Sequence, residues 1–153
     1  MKKTLFSITL LTLLTLLFSA CVSEPTAPLQ NGSYSVTFDD FDSTGWKAYL
    51  ILHVNDQKIE NVEYDYIGST ANGGRLKSED SSYAEAMLSV AGTKPELYIR
   101  QLVDSLVTHQ DPDKIEVVSG ATTSTKDFIR FAKLAIEAAQ KGDTSPITVS
   151  QNE

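Results

Sequence analysis

The chain has 153 residues, 41% of them hydrophobic and 22% charged, the balance of one globular domain with a core of useful size. Its formal charge of −7 argues against nucleic acid and anionic lipid headgroups as partners. A single cysteine excludes an internal disulfide, a thiolate zinc site and an iron–sulfur cluster, and His53 and His109 read as strand-surface or helix-surface residues rather than metal ligands.

At the start of the chain, Lys2 and Lys3 precede an apolar run from Leu5 to Phe18 that ends in Ser19, Ala20 and Cys21. That order describes an export signal over residues 1–20. The run is interrupted by Ser7, Thr12 and Thr15 and is shorter than the ~20 residues of a membrane-spanning helix, so a permanent anchor helix is the weaker reading. Leu17-Phe18-Ser19-Ala20-Cys21 resembles the lipobox of bacterial lipoproteins, with Phe18 where leucine is preferred. The resemblance implies that Cys21 becomes a lipidated N-terminus. The protein would then be held by the bilayer at the outer face of the cytoplasmic membrane. Ordinary secretion with an incidental cysteine is the competing reading. Two or more acyl chains on one residue anchor a soluble domain stably, whereas one does so marginally. Removal of the signal takes away Lys2 and Lys3 but no acid, so the mature charge falls from −7 to −9.

Residues 21–32 are polar and contain Pro25 and Pro28, as suits a flexible tether, and the domain is expected over residues 33–142. Tyr34, Val36 and Phe38 alternate with small polar residues in the period of a half-buried strand, and Asp39 to Gly45 supplies turn residues. Trp46 to Val54 reads as a second strand, Asn55-Asp56 as a tight reversal, and Lys58 to Ile67, with Ile59, Val62, Tyr64 and Tyr66, as a third. Gly68 to Ser82 is a long loop rich in glycine and hydroxyl residues, equally suited to ligand contact and to a mobile connection.

Ser82 to Ala91 has Tyr83, Met87 and Val90 at helical spacing and stops at Gly92. Pro95 opens a second helix, in which Ile99, Leu102, Val103 and Leu106 form a core stripe that ends before Asp111-Pro112. Lys114 to Val118 is a candidate short strand. A final helix runs from about Ser124 to Gln140, with Phe128, Phe131, Ala135 and Ala138 on one face. Gly142 ends it, and residues 143–153 read as a frayed tail. These elements predict an α+β fold, a small antiparallel sheet packed with about three helices.

The run Ile115-Glu116-Val117-Val118-Ser119-Gly120-Ala121-Thr122-Thr123-Ser124-Thr125 delivers small residues into a hydroxyl-rich helix start, the architecture of a phosphate site. Gly120 permits a positive φ and close backbone approach, and the unpaired N–H groups of a first helical turn favour an anion. Ser124 followed by Asp127 resembles a capping box, which would start the helix near Ser124 and leave Thr122 just outside it. The physical reading alone leaves Thr122, Thr123 and Ser124 equally able to serve only as competing caps.

Ser119-Gly120-Ala121-Thr122 resembles the flavinylation motif of the FMN-binding domain family, found in flavin subunits of sodium-pumping NADH:quinone oxidoreductase and Rnf-type complexes and in small flavin lipoproteins of Gram-positive bacteria. Gly74 to Asp80, Tyr83 to Met87, Asp111 to Lys114 and Phe128 to Lys141 resemble the lipoprotein branch, so the likeness spans roughly Tyr34 to Gly142. It implies FMN joined by phosphoester to the Thr122 hydroxyl, placed there by a flavin transferase that uses FAD. Ser119, Gly120, Ala121, Thr123 and Ser124 would surround the phosphate. The family motif carries aspartate where this chain has Glu116, which keeps the charge and adds a methylene.

Around the ring, Tyr64, Tyr66, Tyr83 and Met87 are candidates for flavin packing, with core packing as the competing role. Lys77 is either a solvated loop lysine or a cation at the flavin's electron-rich pyrimidine edge. The functional expectation is an extracellular electron carrier fed by a membrane quinol or NADH dehydrogenase, with the redox chemistry supplied by the flavin. No nucleophile–base pair, paired catalytic carboxylates or dinucleotide fingerprint points to an autonomous enzyme. Two other readings are a precursor of a peptide pheromone cut from Leu13 to Ala20 and a flavin-free accessory lipoprotein.

Overall fold

The computed structural model describes residues 27–151. The export signal, the pheromone candidate segment, Cys21 and the first part of the tether lie outside the described residues. Three strands form the expected meander: β1 Gly32–Phe38, β2 Trp46–Asn55 and β3 Lys58–Gly68, antiparallel in sequence. Asp56 and Gln57 both take positive φ in the two-residue connection between β2 and β3, which matches the twist of the strands they join. A register shift between His53 and Val54 lets both Ile59 and Val62 reach the core despite their odd spacing.

Helices α1 Ser81–Ala91, α2 Pro95–His109 and α3 Thr122–Lys141 complete the α+β fold. β1 and β2 turn Tyr34, Val36, Phe38, Leu50 and Leu52 inward, and α3 answers with Phe128, Phe131, Ala132 and Ala135, all buried. Phe38 meets Phe131 edge to face at 4.7 Å. The core stripe of α2 is Tyr98, Leu102 and Leu106, with Ile99 and Val103 partly buried beside it.

Three expectations are corrected. Lys114 to Val118 is not a strand: a 3-10 turn at Pro112–Lys114 leads into extended chain that makes no ladder, because Ile115 and Val118 are buried in the core. The tail is not frayed, since β4 Ile147–Val149 adds parallel to β1, gives a mixed sheet of order β3-β2-β1-β4 and buries Val149. The tether also ends earlier than residue 32. Gln30 N–H donates to the Ala139 carbonyl at 2.9 Å, and the Tyr34 hydroxyl donates to the Gln30 carbonyl at 2.8 Å.

Candidate functional site

The loop before α3 is shaped by two residues. Gly120 has φ of 79°, and a Cβ there would lie 2.3 Å from the Ala91 carbonyl oxygen, so only glycine lets the loop pass the end of α1. Thr125 is fully buried; its hydroxyl donates to the Ala121 carbonyl at 2.9 Å and accepts the Val118 N–H at 3.2 Å. Together these hold Val118 to Thr122 in one tight turn. Gly120→Ala is expected to cost about 2–4 kcal/mol of stability through positive φ and the backbone clash, read as a lower Tm together with weaker flavin retention.

The helix begins at Thr122, two residues before the expected start, and Ala121 is its N-cap. The capping box does not form: Thr125 N–H bonds to the Ala121 carbonyl, which makes Ser124 helical, and no side chain caps the end. This correction strengthens the phosphate-site geometry. Thr122 is now itself the first helical residue, exposed, at an end whose N–H groups and dipole favour an anion.

A cavity of about 530 Å³ opens at this helix start, within the roughly 300–1,000 Å³ typical of small-molecule sites. Gly120, Ala121, Thr122, Thr123, Ser124, Lys77, Tyr83 and Met87 all line it, so the structure brings together the expected residues of the loop and ring groups except Ser119, which is exposed outside the wall, and Tyr64. Tyr66 lines it as well. Tyr64 does not: it is packed edge to face on Phe128 at 4.9 Å and donates to the Ser124 carbonyl at 3.2 Å, bracing the helix start from behind. Burial raises the Tyr64 and Tyr98 phenols well above their usual range and pushes Tyr66 up to about 12, so all three stay neutral at physiological pH.

The loop from Gly68 to Ser82 is neither purely surface nor a slack connection. Ile67 bridges Leu76, and the buried Asp65 carboxylate accepts the Ser78 hydroxyl at 2.5 Å and the Ser78 N–H at 3.3 Å. These bonds fix the short turn Lys77–Glu79 and fold Lys77 inward until it is 6% exposed. Its ammonium stands 4.6 Å from the Tyr66 ring centroid, 4.5 Å from Tyr83 and 5.4 Å from Trp46. No ion pair to Lys77 is found among the described residues. The solvated-loop reading of Lys77 is therefore wrong, because Asp65 and Ser78 hold the turn against the sheet.

Reasoning from sequence missed Asp42, Thr44, Tyr98, Asp127 and Gln151, which also line the cavity. Burial would raise the Asp42 carboxyl, but the Trp46 N–H at 3.0 Å and the Thr44 hydroxyl and N–H at 2.7 and 2.8 Å hold it below its usual range, so it remains anionic. Asp127 is raised, first by burial and then by Asp42, against the opposing Arg130 and Lys77. A carboxyl whose folded pKa lies above its unfolded value destabilises the fold once ionised. Asp127→Asn should therefore raise Tm at pH 7, and that gain should vanish in melts at about pH 3, where the carboxyl is largely protonated in both folded and unfolded chains.

The residues present fit a phosphorylated, hydrogen-bonding aromatic ligand. The uncapped helix start suits a phosphate, the three rings and Met87 suit a planar ring, and an unpaired buried ammonium suits an electron-rich edge. One further buried acceptor, Gln151 Oε1, has no hydrogen-bond partner and calls for a donor. An aromatic cavity joined to an uncapped helix start defines the class, an α+β domain suited to a phosphorylated aromatic cofactor.

The chain belongs to the FMN-binding domain family, whose profile matches residues 45–137, and FMN is its cofactor. It is 35% identical over 119 residues to a 15 kDa lipoprotein of Treponema pallidum (strain Nichols), covering 78% of this chain and 82% of that one. A Clostridium perfringens protein of known crystal structure is similar in fold, with a TM-score of 0.74 at 34% identity, covering 80% of this chain and 98% of the other.

Proposed function

We propose that this protein is a lipid-anchored extracellular flavoprotein that carries FMN on Thr122 and relays electrons outward from a membrane quinol or NADH dehydrogenase. The observation that carries the reading is the juxtaposition of an exposed Thr122 at an uncapped helix start with the caged Lys77 in one cavity. A transferase would join the Thr122 oxygen to the FMN phosphorus of FAD, breaking the pyrophosphate and releasing AMP, while the hydroxyl proton goes to a base on the enzyme. Glu116 is exposed and faces a separate groove against α2, where a transferase could reach it without entering the flavin cavity.

Bound flavin supplies reversible electron transfer. The chain supplies the rest. Thr122 tethers the cofactor, Tyr66, Tyr83 and Met87 confine the ring, and Lys77 stabilises negative charge on it. The lipoprotein relative and the Cys21 motif support anchoring at the outer face of the cytoplasmic membrane. Cysteine acylation would keep a diffusing domain near its electron donor.

The test uses intact cells and a membrane-impermeant ferric chelate. Deleting the gene should lower chelate reduction severalfold, and the full chain should restore it. Neither Thr122→Ala nor Cys21→Ser should restore it fully. Equal rescue by Thr122→Ala would defeat the electron-carrier reading.

A further inference from the structure

The last strand brings a side chain into the cofactor cavity from beyond the residues that the family profile matches. β4 is zipped onto β1 through Val36–Ile147, Thr37–Thr148 and Phe38–Val149, and Asp39 N–H donates to the Val149 carbonyl at 2.9 Å. The chain then stays pinned past the strand. Arg130 Nη1 donates to the Ser150 carbonyl at 3.3 Å, and Gln151 N–H donates to Asp39 Oδ1 at 3.2 Å. Gln151 is thereby set in the cavity wall with Asp42 and Thr44.

Gln151 Oε1 is buried and accepts no hydrogen bond. Leaving a buried acceptor unsatisfied costs on the order of 1–3 kcal/mol, so a fold that orders this carboxamide has a use for it. The terminal amide torsion of glutamine is soft, and turning the group toward a donor requires no movement of the strand. A ligand that fills the cavity would supply that donor. A phosphate offers only acceptors and is excluded.

We infer that Gln151 is a cofactor-binding residue whose carboxamide oxygen accepts the imide N–H of the isoalloxazine ring. Gln151 shares the cavity wall with Tyr66, Tyr83 and Tyr98, the aromatic residues that suit a ring. A carboxamide also matches an imide edge in both directions, accepting from its N–H and donating to a flanking carbonyl. The C-terminal strand thus completes the flavin site, and Gln151 selects a ring that carries an imide.

This inference rests on the flavin reading of the cavity. It is tested on the apoprotein without its lipidated Cys21, residues 22–153, made without transferase and titrated with FMN and with FMN methylated at the imide nitrogen. Trp46, the only tryptophan, packs against Tyr83 in the ring cage at 5.8 Å, so its fluorescence reports occupancy. Wild type should bind FMN at least tenfold more tightly than the methylated compound. Gln151→Leu should bind both alike, at the weaker level, with its Tm unchanged or slightly raised because the orphaned acceptor is gone.

Discrimination that persists in Gln151→Leu would overturn the inference. So would an equal loss of both ligands in that variant, since Gln151 would then serve a ribityl hydroxyl. Quenching by neither ligand in wild type would instead sink the flavin reading on which it stands.

Discussion

Mature protein coexpressed with a flavin transferase is expected to gain the mass of one FMN that survives denaturation, and Thr122→Ala to abolish that gain completely. The expectation follows from the helix start. Thr122 is the exposed first residue of α3, whereas Thr123 and Ser124 are its neighbours in the same turn and serve as controls. Thr123→Ala should retain the full mass shift. A helix N-terminus contributes about 0.3–1 kcal/mol toward an anion, and up to about 2 in a partly buried site. Even the larger figure is only about thirtyfold in affinity, too little by itself to keep a cofactor on a domain that, as proposed, faces open medium.

A covalent bond removes that limit. Colour that washes away on denaturation of wild type would mean a noncovalent site, and Glu116→Asp would then be the next variant, since the extra methylene stands where the transferase motif has aspartate. Denaturation-stable flavin in Thr122→Ala would show that the attachment site is elsewhere.

Lys77→Met in the flavin-loaded protein should lower the two-electron midpoint potential by about 40–60 mV. For an assumed separation of about 6–8 Å, a unit charge at an effective dielectric of about 20 is worth about 2–3 kcal/mol, and about 30 mV corresponds to 1.4 kcal/mol for a two-electron couple. The sign follows from charge: reduction places negative charge on the ring, and removing the cation disfavours the reduced form. Lys77→Arg keeps the charge and should shift the potential far less. Spectroelectrochemical titration reads the difference, and covalent loading prevents weakened binding from masking it.

The fold itself should tolerate the change. Losing three cation–π contacts, each worth about 0.5–2 kcal/mol, is offset by no longer burying an unpaired ammonium, so Tm should move by only a few degrees. An unchanged potential in Lys77→Met would place the flavin's electron-rich edge away from the cage and leave Lys77 a structural residue.

Much of this molecule is legible along the chain because its cues are local. Alternation in Tyr34, Val36 and Phe38, the stripe of α2, and Gly92 and Gly142 after the helices set strands, helices and stops through side-chain geometry alone. The run Ser119 to Thr122 likewise marks the turn into α3, since a glycine turn into a helix start is a property of consecutive residues.

What failed was non-local. Ile115 and Val118 have strand composition, yet burial in the core without a ladder partner decides their path, and Ile147 to Val149 looks like tail until β1 offers its edge. Lys77 shows the same limit at the site. Its sequence neighbours are polar, and only Asp65 on β3, together with rings from β2, β3 and α1, turns a loop lysine into a buried cation. Adjacent residues were enough for the family motif, the three-stranded meander and the three helices, because each rests on a local pattern of side chains. Which charges share a cavity with Thr122 is set by tertiary packing, because Asp42, Lys77 and Asp127 come together from distant parts of the chain.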